Sequence, residues 1–419
     1  MTGENTGPAG ADTAASPDTG AAAVHLVPLL ADGGSKQGHD IHTLPVLVPQ
    51  GGSKEGHQVP GEPAGAGAAA SHRSAVMAVH TVPAEGLAAG AKQGHGDIGA
   101  VPVTVFAPAP PWTARAGRRP VVAVLDSGVE SHPWLPSSGG DPVVRRASEF
   151  GWNERPDPTP EGFLPPSVPR GTYRGHATFV AGVIRQTAPA AQILSVPVMN
   201  SDGAVDPGQA LSALQWLSGT MAGSGEADWF VDVICLAFGY EDDGQADEQQ
   251  TNDLLGALRE LASKGVLIVA SAGNRGEATP ATYPAAFAKY PDPPVISVGA
   301  QNPDGKTTAD YSNYGDWVTY QAIGSGVIST FAQYDGEQSP PPVPDSFPHA
   351  LGFTIDPDDF KSGFARWSGT SFSAARIAGL LAHELSSAPD LADLSREAAA
   401  RRAKAALAAI EANRWQAQP

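Results

Sequence analysis

The sequence predicts a three-layer α/β/α domain on a mainly parallel central sheet, preceded by a long N-terminal tail with no core of its own. Three observations carry this. From residue 113 onward, apolar runs rich in β-branched residues alternate with helix-length segments, the pattern of a parallel sheet with helices on both faces. Those runs are continuously apolar rather than alternating, as strands covered on both faces are. Before residue 113 the composition shifts to Ala, Gly, Pro and polar residues, and the first aromatic residue of the chain is Phe106.

Taken in order, strands are expected at residues 121–125, 192–198, 231–238, 266–270 and 295–299. Helices are expected at 178–186, 207–219, 247–264 and 371–386, where apolar or Ala-rich stretches run longer than a strand. Residues 394–413 contain Ser-Arg-Glu-Ala-Ala-Ala-Arg-Arg-Ala-Lys, a strong helix former expected to pack on the domain. Two Pro- and Gly-rich stretches, 136–172 and 332–363, read as inserted surface loops. The domain is therefore placed at 113–412, with 1–112 as the tail and 413–419 as a short C-terminal extension.

Four segments carry chemistry. Residues 369–379 read Gly-Thr-Ser-Phe-Ser-Ala-Ala-Arg-Ile-Ala-Gly, which puts Ser371 where a loop gives way to a helix. The first N–H groups of a helix have no internal partner, and its positive end favours a developing negative charge. A serine there is expected to expose its hydroxyl and offer a free N–H, as a nucleophile needs. Asp126 ends the apolar run 121–125, at the carboxyl end of a strand, where open α/β sheets gather functional groups. His176 opens the helical run Gly-His-Ala-Thr-Phe-Val-Ala-Gly. Asn274 follows the strand of 266–270 in a Gly-Asn turn. Each residue alone has an ordinary explanation: a helix cap for Asp126 and Ser371, a helix-terminal histidine, a common turn pair. Four in order, each at a strand end or helix start, do not.

These segments resemble the motifs of the subtilisin-like serine proteases, the subtilases, in the same order along the chain; that order is the one subtilisin itself shows. The resemblance covers about residues 118–412 and includes Tyr283-Pro284 and the stretches 295–300 and 311–315. It implies a subtilisin-like fold and serine endopeptidase activity. Ser371 would attack the scissile carbonyl, His176 would serve as base and then acid, and Asp126 would fix the imidazole tautomer. Asn274 and the Ser371 N–H would hold the oxyanion. In subtilisin itself, losing the oxyanion asparagine costs about 10²–10³ in turnover. The resemblance also puts Ala237, Phe238, Gly239, Ser271, Ala272 and Gly273 along the primary specificity pocket. Gly203, Ala204 and Val205 would pair with an extended substrate backbone, a form of strand addition. Arg275 could reach the pocket rim, where it would favour an acidic substrate residue.

Three positions depart from the family pattern. Ala177 stands where Gly is usual, Phe179 where a second His is usual, and Ala375 where Pro is usual. Unlike proline, Ala375 can donate a backbone bond to the Ser371 carbonyl.

Composition sets limits on partners. A net charge of −18, from 44 acidic and 26 basic residues, argues against nucleic acid or anionic membranes; a protein or peptide substrate is what the resemblance implies. No apolar stretch reaches the roughly 20 residues of a membrane span. The one cysteine, Cys235, lies in an apolar run and reads as a small buried hydrophobe. No cofactor is required by the chemistry. Structural calcium is a family habit, and Asp356, Asp358 and Asp359 are its candidates, without a complete ligand string; no metal ligand is assigned.

The tail holds an imperfect repeat: Gly-Gly-Ser-Lys-Gln-Gly-His at 33–39, Gly-Gly-Ser-Lys-Glu-Gly-His at 51–57 and Gly-Ala-Lys-Gln-Gly-His at 90–95. Such a composition cannot bury enough apolar surface to offset ordering entropy, and a disordered tail is expected. Its repeats would recruit a partner protein or be cut by the protease itself. The start, Met-Thr-Gly-Glu-Asn-Thr-Gly-Pro, has no basic or apolar signal region, which favours the cytoplasm, with secretion as the alternative.

Overall fold

The computed structural model describes residues 77–78, 100–103, 105, 107–111, 117–152, 173, 175–200, 203–221, 229–241, 248–332 and 360–412. Its strands, in chain order, are β1 (Met77–Ala78), β2 (Val101–Pro102), β3 (Val121–Asp126), β4 (Val144–Arg146), β5 (Gln192–Pro197), β6 (Ala204–Val205), β7 (Val233–Leu236), β8 (Tyr240–Glu241), β9 (Leu267–Ser271), β10 (Thr282–Tyr283), β11 (Val295–Gln301), β12 (Tyr320–Ile323), β13 (Val327–Thr330) and β14 (Phe364–Trp367). The helices are α1 (His176–Thr187), α2 (Pro207–Thr220), α3 (Glu248–Ser263), α4 (Thr370–Leu385) and α5 (Arg396–Ala412).

Seven strands form the central sheet in the order β12-β11-β9-β7-β3-β5-β4, and every neighbouring pair is parallel. Side chains alternate faces along a strand, and β3 divides accordingly. Val122 and Val124 enter the core beneath α1 and α4. Ala123 and Leu125 enter the core beneath α2 and α3. On α3 the buried leucines 254, 258 and 261 recur every three or four residues and form one face; each such leucine contributes about 1.5–3 kcal/mol by burial. The expected three layers and parallel sheet are present. Spatial order reverses at β3: β5 and β4 lie on one side, and β7, β9, β11 and β12 on the other. Ligand crevices of open α/β sheets form at such a reversal, outside the carboxyl ends of the strands.

Helix α1 is held tightly. The Ser329 and Thr330 hydroxyls of β13 donate to the carbonyls of Phe179 and Thr178, each at 2.7 Å. That approach leaves no room on the facing side of the helix: a Cβ on Gly182 would lie 2.2 Å from both hydroxyl oxygens.

Several expectations need correction. The loop predicted at 136–172 contains β4, and Val143, Val144 and Ala147 within it are buried. Three strand residues beside a Pro/Gly-rich stretch are too few for a periodic signal. The strand predicted at 231–238 is shorter, Val233–Leu236, in register with β3 and β9. Helix α1 begins at His176 rather than at 178. Upstream of the expected domain start, Val101–Pro102 pairs with β14, and Val103, Val105, Ala107 and Ala109 pack against the core. The repeats, most of 332–363, and the extension 413–419 lie outside the described residues.

His132 gives the domain a pH dependence. It is buried edge-on against Trp134 and Phe364, and its Nδ1 accepts the Trp134 N–H at 3.0 Å. Burial lowers its pKa from 6.5 to about 4, although a backbone bond with Gly363 works the other way. Between those values the unfolded chain binds a proton that the folded chain refuses, so stability rises with pH. The contribution is complete above pH 6.5 and is lost as pH falls toward 4. After allowance for solvent screening it is on the order of 1–2 kcal/mol. Thermal melts should therefore show a falling Tm from pH 6.5 to 4. His132→Asn, whose Oδ1 stands where Nδ1 does and keeps an acceptor for the Trp134 N–H, should flatten that slope; an unchanged slope contradicts the assignment.

Candidate active site

Two of the four expected residues lie at or just past the carboxyl ends of central strands, Asp126 at the end of β3 and Asn274 after β9, and the other two open helices. Asp126 is the last residue of β3, fully buried, and its Oδ1 accepts the Ser127 N–H at 2.6 Å. His176 is the first residue of α1 and 1% exposed. Gly175 before it has φ 85°, and a Cβ there would strike the Phe331 ring at 2.9 Å, so only glycine permits this entry into the helix.

His176 Nδ1 lies 2.9 Å from Asp126 Oδ1 and 2.8 Å from Oδ2. An ionised carboxylate only accepts hydrogen bonds, so Nδ1 carries the hydrogen, and in the neutral ring Nε2 carries the lone pair. Nε2 is buried and has no hydrogen-bond partner among the described residues. Aromatic rings wall the imidazole in. Trp367 meets it edge-on at 5.3 Å, with Phe372 at 5.6 Å and Tyr173 at 6.2 Å. Phe179 stands behind them, 4.3 Å from Phe372 and 5.8 Å from Trp367. Where a second histidine was the usual residue, this chain has a fully buried ring that extends the apolar wall. A low local dielectric strengthens the Asp126–His176 bond.

Ser371 is the second residue of α4, so its N–H has no intrahelical acceptor. The expected exposed hydroxyl is not found. Ser371 is 3% exposed and its Oγ donates to the Ala237 carbonyl at 3.0 Å. The cause is local: Ala237 directly follows β7 beside the helix start, and a buried hydroxyl takes a nearby free acceptor.

Asn274 sits one turn from the end of β9 and is oriented by Thr370. Its Oδ1 accepts the Thr370 N–H at 2.9 Å and the Thr370 hydroxyl at 2.8 Å. A backbone N–H can only donate, which fixes the carboxamide with its oxygen toward Thr370 and its NH₂ turned away. The Thr370 oxygen in turn accepts the Gly273 N–H at 3.1 Å. Thr370, Tyr173, Trp367 and Phe372 were not among the expected site residues. Thr370 was legible as the middle of Gly-Thr-Ser; the aromatic wall comes from separate segments and leaves no local pattern.

The expected specificity residues divide. Phe238 and Ala272 bury their side chains in the core beneath α2 and α3, so they offer a pocket only backbone. Gly239 is pressed against β10, where a Cβ would lie 2.6 Å from Thr282. Gly273 has φ 99° and is pressed against Asn313 and Thr282. Ser271 is buried at the end of β9. Arg275 is ion-paired with Glu241, which offsets its charge at the rim and removes the basis for an acidic preference. Gly203, at φ 86°, lies against the Tyr173 ring, which a Cβ would meet at 2.5 Å. The candidate calcium ligands lie outside the described residues; among the described residues no three His, Cys, Asp or Glu side chains are grouped to hold a metal ion. Nor is any described helix long and apolar enough to cross a membrane. Cys235 is fully buried in β7, and burial raises its thiol pKa, which makes it unreactive.

The family model of the subtilases, peptidase S8, matches residues 117–412. The chain belongs to the subtilase family, whose members are serine endopeptidases. Minor extracellular protease Epr of Bacillus subtilis (strain 168) is 27% identical over 230 residues, covering 52% of this chain and 29% of that protein. Subtilisin BL of Lederbergia lenta is 30% identical over 236 residues, covering 54% of this chain and 72% of that protein. The chain thus spans less than a third of the first relative and nearly three quarters of the second. A solved structure, that of a cold adapted subtilisin-like serine proteinase, aligns at 20% identity with a TM-score of 0.44, over 67% of this chain and 79% of that one.

The Thr370–Asn274 bond is open to a direct test. Thr370→Val removes a hydroxyl that both accepts from Gly273 and donates to Asn274. One net hydrogen bond is worth about 1 kcal/mol, so kcat on a peptide substrate should fall on the order of tenfold with KM little changed. Thr370→Ser should restore it. Equal rates for all three proteins would show that Asn274 needs no such support.

Proposed function

We propose that this chain is a serine endopeptidase that hydrolyses protein or peptide substrates through Asp126, His176 and Ser371. The observation that carries the reading is the imidazole itself: Nδ1 within 2.9 Å of both Asp126 oxygens, and a buried Nε2 with no partner among the described residues. A buried lone pair without a partner is costly, and a nucleophile's proton would relieve that cost. The serine hydroxyl leaves the Ala237 carbonyl by a turn about χ1 between staggered wells and gives its proton to Nε2 as Oγ attacks the scissile carbonyl. Asp126 stabilises the imidazolium so formed. The C–N bond breaks as that proton passes from Nε2 to the leaving amine, giving an acyl-enzyme. Water, deprotonated by the same nitrogen, then releases the acid and restores Ser371. The Asn274 NH₂ and the Ser371 N–H face the oxygen that gains charge. No cofactor takes part.

Substrate is held as an added strand on Gly203–Val205, and the backbones of 237–239 and 271–273 flank the residue before the scissile bond. Recognition through backbone reads few side chains. The printed name of one relative calls it extracellular, which supports secretion over the cytoplasm as the setting for this enzyme.

A second reading has one observation behind it. The Ser371 hydroxyl bonds to Ala237 and not to His176, as in a subtilase-fold protein that holds peptide without cutting it. Mass-spectrometric mapping of bonds cut in a denatured protein substrate separates the two. The native chain should produce new termini and Ser371→Ala none. Termini that persist at equal yield in Ser371→Ala, or that neither protein produces, would remove the peptidase reading.

A further inference from the structure

A sheet of three short strands lies beside the central one, in the order β13-β14-β2. Its first two strands carry parts of both halves of the candidate site. On β13, the Ser329 and Thr330 hydroxyls hold carbonyls of α1, the helix that His176 opens. β14 ends at Trp367, whose ring meets the His176 imidazole edge-on at 5.3 Å. From Trp367 the chain passes through Ser368 and Gly369 into α4, where Ser371 stands second. Two paired strands of four residues each are marginal by themselves, and a third strand is what such a ribbon needs.

That third strand comes from upstream of the residues that the subtilase model matches, 117–412. Ala365 faces Pro102 and Arg366 faces Val101, so the pairing reaches the residue before Trp367. The Val103 N–H donates to the Phe364 carbonyl at 3.1 Å, and the Ser362 hydroxyl donates to the Val103 carbonyl at 2.6 Å. Farther along, the Trp134 indole N–H donates to the Ala107 carbonyl at 3.3 Å, and the Arg185 guanidinium donates to the Pro110 carbonyl at 3.1 Å. Val103, Val105, Ala107 and Ala109 pack against the same core cluster that holds Trp367, Phe179 and Phe372. The segment is thus fastened at both ends, and β14 lies between it and β13.

We propose that the segment from Val101 to Pro110 is a positioning strap of the catalytic site. It holds β14 in register, and β14 holds the Trp367 ring against the His176 imidazole. Its action is indirect, through Trp367, and it therefore bears on turnover rather than on substrate binding. The working domain begins no later than Val101, and not at 117 where the family model starts. This rests on the peptidase reading of the site.

The test uses the full chain. Val103→Pro removes the N–H that the Phe364 carbonyl accepts; Val103→Ile keeps it, along with a branched side chain. Leu258→Ala, in the core on the opposite face of the sheet, loses stability without touching the strap. On a short chromogenic peptide, Val103→Pro should lower kcat roughly five- to tenfold. Its KM should stay within about twofold of the native value, because the strap ends beside the imidazole and not at β6. Val103→Ile should keep the native kcat, and Leu258→Ala should keep it although its Tm falls. The downfield proton NMR signal of the His176 Nδ1–H reads the imidazole without turnover. It should shift in Val103→Pro and stay in place in Leu258→Ala. A native kcat in Val103→Pro, or a fall that Leu258→Ala matches, overturns the strap. If no protein shows Ser371-dependent cleavage, the peptidase reading fails and the NMR signal decides the strap alone. Shifted in Val103→Pro only, it supports the strap's hold on the imidazole; unshifted, or shifted equally in both variants, it overturns it.

Discussion

The fork of Asp126 around His176 Nδ1 is the contact on which the site depends. It joins the end of β3 to the first residue of α1 across fifty positions of sequence. It also decides which ring nitrogen is left to act as a base, since the carboxylate can only accept. Neither residue could hold this geometry from a loop. Asp126 is fixed by a strand paired on both sides, and His176 by a helix whose carbonyls are bonded to the hydroxyls of Ser329 and Thr330. A carboxylate and an imidazole are taken out of water together, and the aromatic wall makes their mutual bond stronger than it would be at a surface.

The second half of the site is organised differently. Ser371 and Asn274 are tied to each other through Thr370, which donates twice to the carboxamide and accepts once from Gly273. That small ring of bonds aligns the end of β9 with the start of α4. The two halves meet where Phe372 packs on the His176 ring at 5.6 Å, and the serine hydroxyl rests on Ala237 rather than on the imidazole. On the proposed mechanism, a turn of the serine side chain is what remains to join them.

Much of this was legible in the amino-acid order, and the reason is physical. Strands covered on both faces must be apolar throughout, so β3, β5, β7, β9 and β11 stand out as runs. The proposed catalytic residues Asp126 and Asn274 sit where those runs end, so they were legible by position as much as by motif. The side on which Phe238 falls was also available from alternation with Cys235 and Ala237, whereas the motif alone put the residue along the pocket without saying which way its ring points. Short pairings were not legible. Two-residue strands such as β1 and β6 carry no period, and β4 is hidden among Pro and Gly. The wall around His176 draws Tyr173, Trp367 and Phe372 from two distant segments, so only folding reveals it. Nor can a sequence show which acceptor a buried hydroxyl chooses, because that depends on distances of a few tenths of an ångström.

The most direct test of the central claim is the rate at which a fluorophosphonate labels Ser371, compared between the native chain and His176→Ala. Phosphonylation needs the serine proton removed but involves no peptide recognition, so it isolates the link between imidazole and hydroxyl. Labelling confined to Ser371, and slower by about a thousandfold or more once the imidazole is gone, is the predicted result. Labelling at the same rate in both proteins, or none at Ser371 in the native chain, would contradict it.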